Sequence, residues 1–256
     1  MNKAITYTRY FLDYLKHGDL GSIIASVKYV LNKSSHSSDR IIRTSAGTFF
    51  CRKNTNDFQF ANFYYEWSVK KYLLNRINEY TVFIDGGACI GDYSILLSRY
   101  GIRCIAIEPV LNNYEVVIKN IDLNNLNSKV KALPVGLGDK NFRANFVFNP
   151  INTGASHIAN DNDTVNCMVE IRTLDSLLPE LNISINDNIL IKLDIEGMEL
   201  EAIRGATDFI LHYPNITFVT EYKHSGYASI KETLSKIAPF EFGIIDEFNI
   251  YAKKTK

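Results

Sequence analysis

From Thr81 onward, short runs of apolar residues alternate with stretches in which apolar positions recur every three to four residues. The first pattern suits strands buried on both faces and the second suits amphipathic helices, so the alternation predicts a mostly parallel sheet with helices on both faces. Strands are expected at 81–85, 103–107, 129–135, 188–194 and 216–222, and helices at 91–100, 111–122, 198–204 and 228–237. The last segments, "FEFGIID" and "FNIYAKK", read as a terminal antiparallel hairpin. Between the third and fourth parallel strands an irregular insertion is expected: "FRANFVF", "NPINTGASHIANDND" and "CMVEIRTLDSLL".

The chain before Thr81 follows a different pattern. Residues 3–32 have helical spacing, with Tyr10, Phe11, Tyr14 and Leu15 on one face. After a break at Gly18 and Gly21, a second face carries Ile23, Ile24, Val27, Val30 and Leu31. "SSHSSD" reads as a linker, 41–53 as two short strands around Ala46-Gly47, and 60–77 as one long amphipathic helix. The expected organisation is a helical and hairpin extension at 1–58 and an α/β domain at 59–256.

Composition narrows the function. The chain has 256 residues, 46% of them hydrophobic and 22% charged, which suits a globular domain. Lysine plus arginine equals aspartate plus glutamate, 28 each, so no global positive field draws a polyphosphate backbone and nucleic acid is not the expected partner. "FNPI" lacks the second proline and the aromatic of an N-P-P-aromatic run. Cys51, Cys89, Cys104 and Cys167 are too scattered for a zinc or redox motif and read as reduced thiols. The apolar stretch 20–31 is too short for a membrane span and contains Lys28; with no signal-peptide pattern ahead of it, a cytoplasmic protein is expected.

The candidate chemistry starts at "TVFIDGGACIGDYS", an apolar strand that ends in Asp85 and turns through Gly86, Gly87, Ala88, Cys89 and Gly91 into a helix. Such a turn often holds a phosphate, which a carboxylate at the strand end would repel. S-adenosylmethionine carries an ammonium and a sulfonium and no phosphate, so Asp85 has a cation to attract and the helix start can receive the methionine carboxylate. The next strand ends in Glu108, and 108 − 85 = 23 positions is the spacing at which an acid takes ribose hydroxyls in nucleotide-binding sheets. Pro109 then stops the strand.

These residues, with "IAIEPV", "VIKNIDLNN", "VGLGD", "RTLDSL" and "IKLDIEGMELEAIRGA", resemble in order the motifs of the FkbM-type methyltransferases over about residues 60–222. The resemblance implies a class I methyltransferase (Rossmann-like) three-layer sandwich, S-adenosylmethionine as donor, and O-methylation of a hydroxyl on a sugar, glycan or related small metabolite. It implies that Asp85, Gly87 and Gly91 line the donor turn, that Glu108 takes the ribose and that Asp139 lies near the adenine. Cys89 stands where the family usually has asparagine, and Gly86 where it usually has an aliphatic residue.

For the chemistry, Asp194 and Glu221 close two strands expected to be neighbours, so their carboxylates could orient or deprotonate an acceptor hydroxyl with Glu196 in support. Asp194 and Glu196 could equally serve only to end the strand and start the next helix. His157 could act from the insertion or be merely solvated, and Glu66 could reach the donor pocket or form a surface ion pair. No spacing demands a metal. A nicotinamide-dependent oxidoreductase and a non-catalytic binding protein on the same fold remain the rival readings.

Overall fold

The computed structural model describes residues 3–159 and 162–255; Asn160 and Asp161 of the insertion lie outside them. The chain opens with α1 (Lys3–Lys16), α2 (Leu20–Asn32), β1 (Arg40–Arg43), β2 (Thr48–Cys51), α3 (Asp57–Ala61) and α4 (Trp67–Leu74). There follow β3 (Val82–Gly86), α5 (Asp92–Arg99), β4 (Arg103–Ile107), α6 (Leu111–Leu123), β5 (Val130–Leu133) and β6 (Gly136–Leu137). Next come β7 (Phe142–Val147), β8 (His157–Ile158), β9 (Cys167–Arg172), α7 (Leu174–Leu181), β10 (Ile189–Leu193) and α8 (Glu199–Arg204). The chain closes with α9 (Thr207–His212), β11 (Ile216–Glu221), α10 (Tyr227–Ile237), β12 (Phe240–Ile244) and β13 (Asn249–Lys254).

The main sheet has the order β12-β13-β11-β10-β3-β4-β5. From β11 to β5 the strands run parallel, and β12 and β13 form the antiparallel hairpin at one edge. β3 and β10 are buried along their whole length. Their side chains therefore feed two cores, one on each face: Phe83 and Leu190 join the first, and Val82, Ile84, Ile189 and Ile191 the second. Helices cover both faces, giving three layers. The order of strands reverses direction between β3 and β10, and a crevice opens outside the carboxyl ends of strands at such a switch point. The register there sets Lys192 of β10 opposite Asp85 of β3.

Three local expectations change. The helix expected over 60–77 is broken at 62–66, where the Asn62 side chain accepts the Tyr64 N–H, a local bond that competes with the helix ladder. Asp13 accepts the Phe63 N–H in the same turn, and Glu66 takes a left-handed φ of 48° before α4 starts. The strand expected over 129–135 ends at Leu133, before Pro134, since proline cannot continue a sheet ladder; β6 follows beyond it in a second sheet. The insertion is not irregular: β6-β9-β7-β8 form a second sheet, and β7 and β9 bury alternate residues around Val110, Ala144, Phe146, Val169 and Ile171.

Residues of the first 58 contribute to the first core: Tyr14, Ala25, Ile42 and Phe49 cluster with Phe83 and Ile95. Asn120 of α6 and Asn124 just past its end accept backbone N–H groups of Phe50 and Thr48, tying the β1-β2 hairpin to the domain. The helical faces are turned otherwise than expected. Tyr14 is buried, but Phe11 and Leu15 of α1 and Ile24, Val27, Val30 and Leu31 of α2 face solvent. No helix among the described residues is long and apolar enough to cross a membrane.

Candidate active site

The turn after β3 takes its shape from packing. Gly87 has φ of 82°, and a Cβ there would lie 2.0 Å from the backbone oxygen of Asp194, so the close approach of the chain after β10 excludes any side chain. Gly91 has φ of 81° and starts α5 against Val117. Gly86 packs on Leu193 and the Lys192 carbonyl. Asp85 is buried and accepts a hydrogen bond of 2.8 Å from Ser94 Oγ. Burial pushes its carboxyl up to about 6, against the pull of Lys192 and Ser94. The first turn of α5 already has an acid: Asp92 pairs with the buried Lys70 at 2.9 Å.

Glu108, one residue past β4, is also buried and is fixed on three sides. It accepts the N–H groups of Cys89 (2.8 Å) and Val110 (2.9 Å) and the amide of Asn113 (3.4 Å). Burial nonetheless lifts its carboxyl to about 7, the hydrogen bonds opposing. Beside it, Oδ1 of Asn113 is buried without a hydrogen-bond partner while the same residue's amide donates to the Thr153 carbonyl at 3.1 Å. Thr153 belongs to the 152–156 stretch of the insertion, a flap that lines the same cleft as the turn and brings the Thr153 hydroxyl to 3.6 Å from Cys89 Sγ. Its hydroxyl donates to Asp57 at 2.9 Å and its N–H to Asn56 at 3.1 Å. Asp57 is in turn clamped by Arg52 at 2.7 and 2.9 Å.

On the β10 side a buried cation organises the acids. Lys192 Nζ pairs with Asp194 at 2.8 Å and lies 4.7 Å from the centre of the Tyr93 ring. Burial works against its charge, but Asp194, Glu66 and Asp85 outweigh it and hold the ammonium above its ordinary range. Glu66 accepts the Tyr93 hydroxyl at 2.8 Å; burial lifts it to about 6, with Lys192 opposing and Asp194 adding to the rise. Glu196, at a left-handed φ of 50°, pairs with His224 at 3.3 Å and is raised by burial and by Asp194. Glu221, the last residue of β11, is lifted to about 7 by burial and then by Asp194 and Glu196.

Ten of the residues singled out from the sequence meet at one cleft of about 260 Å³: Glu66, Asp85, Gly87, Ala88, Cys89, Glu108, Pro109, Asp194, Glu196 and Glu221. Gly86 and Gly91 shape the turn without lining the cleft. His157 lies on β8 paired with Asp163 at 3.3 Å, and Asp139 packs beside Gly205; neither lines the cleft. Sequence reasoning missed Asn113, Thr153 and Tyr93; Lys192 of "NILIKLD", expected to reach an acidic neighbour or to snorkel from its strand, does the former at Asp194. Among the described residues, no group of three or more His, Cys, Asp or Glu side chains could hold a metal ion.

The cleft thus brings many carboxylates together with two lysines, Lys192 and Lys223, the first of them held by acids. Such a site favours a cationic ligand rich in hydroxyl donors and disfavours a pyrophosphate.

The family model for the methyltransferase FkbM domain matches residues 85–246. Among solved structures, a SAM-dependent methyltransferase from Agrobacterium tumefaciens is 8% identical and covers 87% of this chain and 71% of its own, with a TM-score of 0.50. A methyltransferase FkbM from Methylobacillus flagellatus KT is 20% identical, covering 68% of this chain at a TM-score of 0.49; this chain spans 44% of its length. The tRNA m1G37 methyltransferase of M. jannaschii is 13% identical, covering 93% of this chain and 68% of its own, with a TM-score of 0.46. No curated protein matches the sequence.

Proposed function

The chain belongs to the FkbM methyltransferase family, and from that premise we propose that it moves a methyl group from S-adenosylmethionine to a hydroxyl of a sugar, glycan or related small metabolite. One observation carries the donor: Glu108 and the unpartnered Asn113 Oδ1 stand together, buried, one strand away from Asp85. Two acceptors side by side fit a pair of ribose hydroxyls, and Asp85 fits the ammonium end of the same molecule.

The bound donor supplies an electrophilic methyl group on a sulfonium. In our reading Glu108 and Asn113 hold the ribose, Gly87, Ala88 and Cys89 bring their backbone against it, and the flap at Thr153 excludes water. Asp194, held in place by Lys192 at 2.8 Å, orients the acceptor hydroxyl by accepting its hydrogen bond. Glu221, lifted to about 7, is the better placed of the two to take the hydroxyl proton, because a base works best when its pKa lies near the working pH. His157 and Asp139 have no part in this scheme.

For the acceptor, Tyr64, Trp67 and Phe248 line a shallow groove that shares Glu66 with the cleft and also carries Asp246 and Glu247. Aromatic faces beside carboxylates suit the apolar faces and hydroxyls of a sugar ring. The four cysteines are all free, in keeping with a cytoplasmic enzyme.

Titration calorimetry tests the donor. S-adenosylmethionine and S-adenosylhomocysteine are expected to bind and NAD not to. Glu108→Gln should lower donor affinity about 10- to 150-fold, the equivalent of about 1.5–3 kcal/mol for a charge-assisted hydrogen bond. Binding of NAD alone, or an unchanged affinity in the variant, overturns the reading.

A further inference from the structure

Two solvent-facing stripes on α1 and α2 take no part in the cleft. On α1, Ile5, Phe11, Leu12 and Leu15 are all exposed, while the opposite face is fixed to the protein. There Asp13 accepts the N–H groups of Ser45 and Phe63, and Tyr14 donates to the Phe58 carbonyl. On α2, Leu20, Ile24, Val27 and Leu31 follow the i, i+4, i+7, i+11 spacing of one helix face, and Leu31 keeps 78% of its surface in solvent. Ser22 and Ala25 are the residues of α2 that are buried. Scattered exposed apolar residues need no explanation, but two adjoining helices that each expose at least four large apolar side chains mark a surface that something covers.

The exposed charges carried by the two helices are of one sign, and two acids from elsewhere in the chain, Asp246 and Glu247, line the groove at Thr6 near the start of α1. The acids of α1, α2 and the turn joining them are Asp13 and Asp19, and both are buried. Asp13 is spent on backbone N–H groups, and Asp19 caps α2 and pairs with Arg40 at 2.8 Å. Lys16, Lys28 and Lys33 remain exposed. An apolar stripe flanked by lysines complements a surface that is apolar below and anionic above.

We propose that α1 and α2 are a docking face for an anionic lipid surface. The two helices lie in the plane of the interface, with Leu12, Leu15, Ile24, Val27 and Leu31 in the acyl boundary and the lysines at the headgroups. At about 1.5 Å per residue each helix is on the order of 20 Å long, short of the roughly 30 Å hydrocarbon core, so the attachment is peripheral. A second copy of the chain fits the same face less well. A two-fold interface sets a patch against itself, which brings Lys16, Lys28 and Lys33 of each copy together with no exposed acid on these helices to answer them.

Vesicle flotation of the full chain tests this. Vesicles of phosphatidylcholine mixed with phosphatidylglycerol should carry at least about tenfold more protein than vesicles of phosphatidylcholine alone, and raised salt should release it. Ile24→Asp combined with Leu31→Asp should abolish flotation with the circular dichroism and melting temperature kept. Leu31→Asp alone, at the most exposed position, serves if the double variant melts early. Lys28→Glu with Lys33→Glu should cut flotation at least about tenfold. The proposal is overturned if the wild-type chain does not float with anionic vesicles, if it floats equally with neutral ones, or if sedimentation shows a dimer that Leu31→Asp disperses.

Discussion

Carboxylates stand at the same edge of one sheet in two groups, and the groups are held differently. At the carboxyl ends of β3 and β4, Asp85 and Glu108 are buried and fixed, the one by Ser94 and the other by two backbone N–H groups and Asn113. At the carboxyl ends of β10 and β11, Asp194, Glu196 and Glu221 are less buried and crowd one another. Asp194 has Lys192 and Glu196 has His224, but Glu221 has no hydrogen bond or ion pair to its carboxylate among the described residues. The first group has its geometry set in advance, as a binding site requires. The second contains one acid whose proton is held by burial and like charge alone, which leaves it free to exchange that proton.

The sharpest way to break the contrast is to neutralise the free acid. Glu221→Gln keeps shape and removes the base, so turnover should fall about 10²–10⁴-fold while donor affinity changes little. In the wild type the rate should rise with pH through an apparent pKa near the Glu221 value of about 7, because only the ionised form accepts the hydroxyl proton. Asp194→Asn should cost less in rate and leave that pKa in place. Should the rate loss and the loss of the pH step follow Asp194 instead, the two residues exchange roles and Lys192 is no bar to proton transfer.

Lys192 joins the two groups, since it faces Asp85 across the strand pair and holds Asp194 and Glu66. Lys192→Met would leave these acids buried without their cation. The expected loss is about 3–5 kcal/mol of folding stability, read by urea denaturation. A variant as stable as the wild type would show that the acids take protons and do not need the lysine.

How much of this was legible in the sequence differs between the two groups. Asp85 and Glu108 could be read because each closes an apolar run just before a glycine or a proline, and the order of strands then brings them to one edge. What fixes Glu108 could not be read: Asn113 is a turn further on, and Thr153 reaches it only because the insertion folds as a sheet and lays a flap against the turn. The period-two alternation of Phe142, Ala144 and Phe146 was visible, but the loop-like "NPINTGAS" beside it masked the signal. Glu66 entered the cleft through a helix break set by Asn62 and by Asp13 on another helix, a long-range cause that no local periodicity carries. The stripes on α1 and α2 were legible as amphipathic, but periodicity gives the angle of an apolar face and not what lies against it.

A smaller effect is read through pH, and both groups contribute to it. Glu66 and Asp85 are raised to about 6 and Glu108 and Glu221 to about 7, above the value near 4 of unfolded carboxylates. Each therefore binds its proton more tightly when folded, so the stability it adds is complete below pH about 4 and is lost as pH rises through 6 and 7. The ligand-free chain should melt lower at pH 8 than at pH 5.5, by on the order of 2–4 °C for each kcal/mol lost. Donor affinity should move the other way, since ionised Asp85 and Glu108 attract the cation and accept the ribose hydroxyls. A melting temperature that rises over this range would mean that the acids are ionised in the folded protein and paired better than their burial suggests.

The smallest effect bears on what holds the first group in place. Cys89 sits at φ of 50°, a left-handed conformation that costs most L-residues about 1–2 kcal/mol and that asparagine visits readily. Its hold on Glu108 is through the backbone N–H, and among the described residues the sulfur's hydrogen-bond contact is with the Thr153 hydroxyl at 3.6 Å. Cys89→Asn should therefore raise stability by up to about 1 kcal/mol and leave donor affinity within about twofold, since the turn keeps its N–H where Glu108 needs it. A tenfold loss of affinity would mean that the thiol's contact with the flap, rather than the backbone of the turn, sets Glu108, and the first group would then be no more fixed in advance than the second.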